Sequence, residues 1–215
     1  MNPIKIVITD TETTGLDRQK DEPIEIAGLR YEYPSWEPCG VFYKLVHPTM
    51  RRVDPTAAEV NGYTPMAWMG AERMTAELID ELIEFTVGCH WVGSMPQFDF
   101  DILDAQRRRL YPSRPWSLAS HRLIDVGSLG APLMFGGHTE KGGLDAICKV
   151  LGIPSDVPLL NGRPVGYGHP IFDVAGGRVG PHTAMGDTIR TVAVFRALMT
   201  RYVWAWTPAA LVVAP

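Results

Sequence analysis

The chain of 215 residues is poor in cysteine and lysine and has no long apolar run. Its three cysteines, Cys39, Cys89 and Cys148, are widely scattered and show no CxxC spacing. That excludes the disulfide framework of a small secreted scaffold and a zinc-ribbon type of site, and makes a reducing, cytoplasmic setting the expectation. No stretch approaches the roughly 18 apolar residues of a membrane-spanning helix, so no membrane partner is expected. The opening MNPIKIVITDTE passes from a short apolar run straight into acids, unlike a signal or transit peptide. There is no G-x-S-x-G elbow and no Ser or Cys triad signature, which argues against a metal-independent hydrolase. Internal repeats are also missing. Five lysines stand against fifteen arginines, a bias attributable to codon usage. The net charge of −4 excludes a strongly basic nucleic-acid coat protein. It leaves room for an enzyme that collects carboxylates around metal ions and still binds phosphates locally.

What is present is an ordinary globular composition, 46% hydrophobic and 20% charged, which disfavours disorder. The length suits one large domain or two small ones, with a core that needs no disulfide or metal staple. Three β-rich runs open the chain, at 4–9, 24–33 and 41–47, and read as an antiparallel meander. Helices are expected over 56–61, 71–85, 98–110, 143–151 and 183–202. Short strands are expected over 89–93 and 122–126. Strands alternating with helices after a meander imply an α/β fold with a mixed sheet. The Gly/Pro-rich stretch 154–181 is too long for an ordinary connection and reads as an insertion that forms a lid, a small hairpin or a disordered loop. The apolar tail 204–215, with Trp204 and Trp206 at its start, follows the domain of residues 1–203 and is expected to pack on it.

Three polar clusters can carry chemistry. In DTETTGLD, Asp10 and Glu12 lie two apart at a strand end, so their side chains share a face and can share a hard divalent cation. Gly15 then lets the chain turn, and Thr13, Thr14 and Leu16 sit on a loop that offers backbone and hydroxyl donors; a plain polar loop is the alternative. In QFDFD, Asp99 opens a helix, where a carboxylate is also a good N-terminal cap. Asp101 and Asp104 are rivals placed on the solvated side of that helix. In HTAMGD, His182 and Asp187 cannot share one helical face at 3.6 residues per turn. The pair makes sense with His182 in the loop before a helix and Asp187 one turn inside it. Four carboxylates and a histidine in the order D-x-E, D, H-x₄-D are the parts needed for metal-dependent phosphoryl transfer, with a histidine able to take a proton from water. Arg107, Arg108 and Arg109, joined by Arg114 and Arg122, form a basic cluster that reads as a solvated helix face, with a phosphate track as the alternative.

From Ile4 to Leu198 the sequence resembles the DEDDh 3′→5′ exonucleases, the DnaQ-like group that includes proofreading subunits. The resemblance rests on DTETTGLD, on the FD of QFDFDIL and on HTAMGDTIRT. VDPTAAEVNGYT, HRLIDVGSL and LDAICKVLGI add weaker support. It implies a ribonuclease H-like fold, a five-stranded mixed sheet flanked by helices. It implies two divalent ions, Mg²⁺ or Mn²⁺, with Asp10, Glu12 and Asp187 around one, and Asp10 with Asp99 at the other. It implies His182 as general base, backbone groups near Thr13 at the terminal 3′-hydroxyl, and Leu16 and Phe98 beside the last nucleotide, although both could instead be core residues. The implied substrate is nucleic acid with a free 3′ end, preferably single-stranded DNA. RNA-end trimming is the alternative, and a non-catalytic nucleic-acid-binding or polymerase-scaffolding module a more distant one. Any polymerase partner would act in trans, and a homodimer is compatible with the sequence. Two features differ from the family pattern: Ser94 and Met95 replace a frequent His-Asn pair, and the segment before His182 is long.

Overall fold

The computed structural model describes residues 3–49, 52–156, 159–160, 163–166 and 168–205. β1 (Ile4–Thr13), β2 (Pro23–Tyr33) and β3 (Glu37–His47) form the expected antiparallel meander. β1 runs four residues beyond its apolar stretch because Asp10 to Thr13 stay paired with β2, Asp10 opposite Ala27 and Glu12 opposite Glu25. The acids therefore belong to a strand rather than to a loop after it. A register shift between Glu12 and Thr13 then ends the regular ladder.

Helices and short strands follow: α1 (Pro55–Asn61), β4 (Glu72–Arg73), α2 (Ala76–Thr86), β5 (His90–Gly93), α3 (Pro96–Leu110), β6 (Ile124–Asp125), α4 (Val126–Leu129), α5 (Ala131–Phe135) and α6 (Leu144–Leu151). The chain closes with the small hairpin β7 (Leu159–Leu160) and β8 (Arg163–Pro164), then α7 (Pro170–Val174) and α8 (Ala184–Ala205). Helix starts obey local capping chemistry. Asp54 accepts from the amides of Thr56 and Ala57 at α1, and Thr75 accepts from Leu78 at α2. The helix expected over 71–85 starts later because Thr75 caps it, while Glu72 and Arg73 join the sheet.

Among the described residues the main sheet has six strands in the order β4-β3-β2-β1-β5-β6, one more than the five expected. β4, β5 and β6 run parallel to their neighbours β3, β1 and β5, so the sheet is mixed. The additional strand β4 is only a two-residue pairing of Val46 with Glu72 and His47 with Arg73. Two polar residues leave no period-2 hydrophobic signal, so such an edge is invisible in sequence.

Strand alternation sorts the core into two layers. Ile6 and Ile8 of β1 pack with Ile189, Val192 and Phe195 of α8 on one face. Val7 packs with Leu82 of α2, Trp91 of β5 and Leu103 of α3 on the other. Segment 154–181, expected as an insertion or lid, contributes Leu160, Val165, Ile171, Ala175 and Val179 to the α8 layer. α8 continues to Ala205, past the expected domain end at 203. The expectation for the tail from 206 to 215 lies outside the described residues. Among the described residues no helix is long and apolar enough to cross a membrane.

Candidate active site

The parity that seats Ile6 and Ile8 against α8 puts Asp10 and Glu12 on the same face of β1. There they meet Asp187 of α8. Carboxylate oxygens of Asp10, Glu12 and Asp187 lie within 4.8 Å of one another. Asp187 sits in the first turn of α8, its amide donating to the Thr183 carbonyl at 2.9 Å. His182 lies just outside that turn and is exposed, as the spacing requires. Its backbone is left-handed, with φ of 56°, a conformation that lets the chain reverse into α8. The junction is tight. Thr183 Oγ1 donates to the Gly180 carbonyl at 2.8 Å and accepts from the Gly186 amide at 3.1 Å. A methyl group at Gly186 would overlap the Gly180 carbonyl, so glycine is required there.

Thr11 points to the opposite face from Asp10, toward α3, and holds the fourth carboxylate. Asp99 Oδ1 accepts from the Thr11 amide at 3.0 Å and from the Thr11 hydroxyl at 2.6 Å. Asp99 is 3% exposed and lies within the first turn of α3, which starts earlier than expected, at Pro96. Its carboxylate is thus tied to β1, beyond simple capping of α3. The two rivals are occupied elsewhere. Asp101 accepts from Arg18 and Gln97. Asp104 is buried rather than solvated and pairs with Arg107 and Arg108 at 2.6 Å each. Arg114 pairs with Asp80 and Glu84, and Arg109 donates to the Gln19 carbonyl. Arg107, Arg108 and Arg114 of the cluster are thus paired with acids within the fold.

A cleft of about 940 Å³ opens beside Glu12. Thr13, Thr14, Gly15, Leu16 and Phe98 line it, with Arg52 and Val60 at its α1 side. Leu16 is 84% exposed and Phe98 half-buried, so neither is a core residue. The loop hydroxyls are used internally: Thr13 donates to the Gly15 carbonyl at 2.7 Å and Thr14 to Asp21 at 3.0 Å. Asp21 also accepts from the Asp17 amide at 2.8 Å, and a side chain at Gly15 would strike this carboxylate. Glycine at 15 is needed for that close approach.

The electrostatics mark this cluster apart from the rest of the chain. Burial first, then the charges of Asp99, Asp187 and Glu12, push the Asp10 carboxyl well above its ordinary range. Burial, Asp187 and Glu25 push Glu12 up to about 8. Burial raises Asp99 to about 7 against the opposing hydrogen bonds of Thr11. Burial also raises Asp187, while Arg190 and His182 beside it pull the other way. Arg190 is buried, donating to Asp187 Oδ1 at 2.8 Å and pairing with Asp145. All donors are carboxylate oxygens, the set that suits a hard cation such as Mg²⁺ or Mn²⁺. The residues therefore fit divalent metal.

A stability prediction follows. Carboxyls whose folded values are raised hold more protons folded than unfolded. Their contribution is full below the unfolded values, near 4, and is lost as pH rises through 7 to 8. In EDTA the melting temperature should fall between pH 5 and pH 8.5, and Mn²⁺ should restore more at pH 8.5 than at pH 5. Calorimetry at both pH values checks this; a flat metal-free profile would mean that folding does not raise the proton affinity of these carboxyls.

From the sequence Glu25 is expected to make a structural hydrogen bond on its strand, as it does with Tyr43, but its place beside the site and the roles of Arg178, Arg190 and Thr11 are not legible there. Glu25 is completely buried and faces Glu12 across the β1–β2 ladder, a pairing that depends on register. Arg178 and Thr11 act through contacts between distant segments, and Arg190 reaches both Asp187, three residues before it on α8, and the distant Asp145.

A family profile described as Exonuclease (RNase T) matches residues 7–157. His182 and Asp187 lie beyond that match. No curated protein sequence matches the chain. The structure is similar to Escherichia coli Exonuclease I in complex with a dT13 oligonucleotide, with 18% identity and a TM-score of 0.69, over 94% of this chain and 42% of that one. Exonuclease I from Methylocaldum szegediense gives 21% identity and a TM-score of 0.60, over 94% and 43%. A 3′-exonuclease described for 3′-end-specific recognition of histone mRNA stem-loop gives 13% and 0.66, over 94% and 84%. The chain thus spans less than half the length of the two Exonuclease I chains.

Proposed function

The chain belongs to the DnaQ-like, DEDDh-type exonuclease family, and from that premise we propose that it releases nucleoside monophosphates from the 3′ end of DNA, preferably single-stranded, in the cytoplasm. The observation that carries this reading is the meeting of Asp10, Glu12 and Asp187 within 4.8 Å beside a cleft large enough for a nucleotide. Asp10, Glu12 and Asp187 would hold one divalent ion, and Asp10 with Asp99 a second. Two such ions, when bound, supply water activation and charge neutralisation on the leaving oxygen.

The chain's own residues do the rest. His182, on the exposed turn before α8, accepts the proton of the attacking water. Leu16 and Phe98 flank the terminal nucleotide at the mouth of the cleft, one projecting and one half-sunk. Backbone groups near Thr13 meet the terminal 3′-hydroxyl, as the family resemblance implies; the hydroxyls of Thr13 and Thr14 are engaged within the loop. A polymerase, if one is served, is served in trans. RNA trimming is the second reading. It is favoured by the likeness to the 3′-exonuclease described with histone mRNA stem-loop, most of whose length this chain covers.

The test is digestion of 5′-labelled single-stranded DNA and RNA of one sequence in Mg²⁺, Mn²⁺ or EDTA, beside Asp187→Ala. The expected result is a metal-dependent ladder shortening from the 3′ end, faster on DNA and absent in the variant. A faster RNA ladder would select the second reading. No ladder on either strand would leave a nucleic-acid-binding module.

A further inference from the structure

The turn that carries His182 is pinned to the sheet by one arginine. Arg178 lies four residues before His182. Its Nη2 and Nε donate to Glu25 Oε2 at 2.8 and 3.2 Å, and Nη2 also donates to the Asn61 carbonyl at 3.1 Å. The guanidinium carbon lies 4.5 Å over the Trp68 ring. Every partner is itself fixed. Glu25 is completely buried and accepts a second bond from the Tyr43 hydroxyl at 2.9 Å. Asn61 Nδ2 donates to the Thr13 carbonyl at 3.1 Å, and Trp68 Nε1 to the Ile24 carbonyl at 2.8 Å. β1, β2, α1 and the turn before α8 thus meet at a single side chain.

The other end of the turn is equally constrained. Thr183 Oγ1 faces the carbonyls of Gly180 at 2.8 Å and Arg178 at 3.3 Å, and Gly186 fits directly against Gly180. Between these two anchors stands His182, exposed and left-handed, its ring making no hydrogen bond among the described residues. Its placement relative to Asp10, Glu12 and Asp187 is therefore set by the turn. The turn is set on one side by α8 and on the other by Arg178. Only a planar, forked cation can bond Glu25 through two nitrogens, reach a carbonyl and lie on an indole at once.

We propose that Arg178 is a positioning residue for the reaction: it seats His182 by clamping the turn from Arg178 to Thr183 onto Glu25 of β2. The proposal rests on His182 being the base, as read above. A base displaced by about 1 Å loses on the order of 100-fold in rate. Arg178 bonds none of the proposed metal ligands directly; its partners are Glu25, which faces Glu12, and the carbonyl of Asn61 at the edge of the cleft.

The experiment measures kcat and KM in Mn²⁺ for wild type, Arg178→Met, Arg178→Lys, His182→Ala and the two Arg178 variants combined with His182→Ala. Arg178→Met should lose about 100-fold in kcat with KM within about 3-fold. Arg178→Lys keeps the charge but not the fork, and should lose about 10-fold. In the His182→Ala background neither change should cost anything further, since the group being positioned is gone. A merely structural role would lower the residual rate of His182→Ala as many-fold as it lowers the wild type. That additive outcome, or an Arg178→Met enzyme within 2-fold of wild type, overturns the proposal. If Arg178→Met does not fold, the Arg178→Lys pair decides by the same comparison. A His182→Ala enzyme as fast as wild type overturns the base assignment itself, and this proposal with it.

Discussion

Asp10→Asn should lower kcat/KM by at least about 1000-fold and at the same time raise the melting temperature of the metal-free protein. The two effects have one cause. Asp10 stands at the centre of the carboxylates, with Asp99, Asp187, Glu12 and Glu25 all raising its proton affinity. Without a cation that arrangement is repulsive and desolvated, so a neutral isostere relieves it. With a cation the same oxygens are what the ion binds, and Asp10 is the proposed ligand shared by both ions. The wild type should therefore be stabilised by Mn²⁺, by about 2.7 kcal/mol at a hundred times Kd, whereas Asp10→Asn should gain little. In a domain of this size that difference is roughly 5–10 °C in melting temperature. Thermal scans of both proteins in EDTA and in Mn²⁺, paired with the oligonucleotide assay, read both effects. A variant that keeps its metal-dependent shift and its ladder would mean that the ion is held by other acids.

Such opposition between stability and function explains which parts of the site the sequence discloses. The acids stand out because local spacing fixes them. Asp10 and Glu12 share a face by strand parity, and Asp187 sits one turn inside a helix that His182 precedes. These relations hold whatever the rest of the chain does. The meander and the alternation of helices with strands are legible for the same reason, since each rests on a hydrophobic period within one segment. β4 has no such period, and the sheet gained an edge strand. Glu25 looks like any strand glutamate until the register sets it opposite Glu12. Asp104 follows a helical spacing that suggests solvent, yet it is buried, pairing with the half-buried Arg107 and the exposed Arg108 one turn further on. Arg178 lies in a Gly/Pro-rich stretch with no regular pattern, and its role depends on β2, α1 and Trp68 arriving at one point. Long-range pairing is the property that a single sequence does not display.

The likeness to solved exonucleases stops at the fold, because identities of 13–21% leave side chains free to differ. The turn before α3 illustrates this. Ser94 and Met95 occupy the approach to α3, and Met95 is 66% exposed with a left-handed φ of 57°. Its amide donates to Asp125 at 3.1 Å, tying this turn to the end of β6. A loop held by Asp125 in this way does not need a histidine–asparagine pair to keep its shape. The difference therefore leaves the assembly of the carboxylates untouched.

His182→Ala is expected to lose about 10²- to 10⁴-fold in kcat, the range for removal of a positioned general base. It should keep the metal-dependent rise in melting temperature, because the oxygens of Asp10, Glu12 and Asp187 remain together without it. That separation of metal binding from turnover distinguishes His182 from the acids, whose loss should abolish both. Two features of its place in the fold sharpen the expectation. The side chain is exposed, so truncation leaves no cavity in the core and should cost little stability. The vacated space opens to solvent, so a small base can diffuse in. Added imidazole should therefore restore part of the rate in His182→Ala, in proportion to its concentration, and should do nothing for Asp10→Asn. Rescue of that kind cannot come from repairing a misfolded turn, since free imidazole has no means of reshaping the backbone from Arg178 to Thr183. A His182→Ala enzyme with wild-type turnover would remove the histidine from the chemistry. A variant that loses metal stabilisation along with activity would make it a part of the metal site instead.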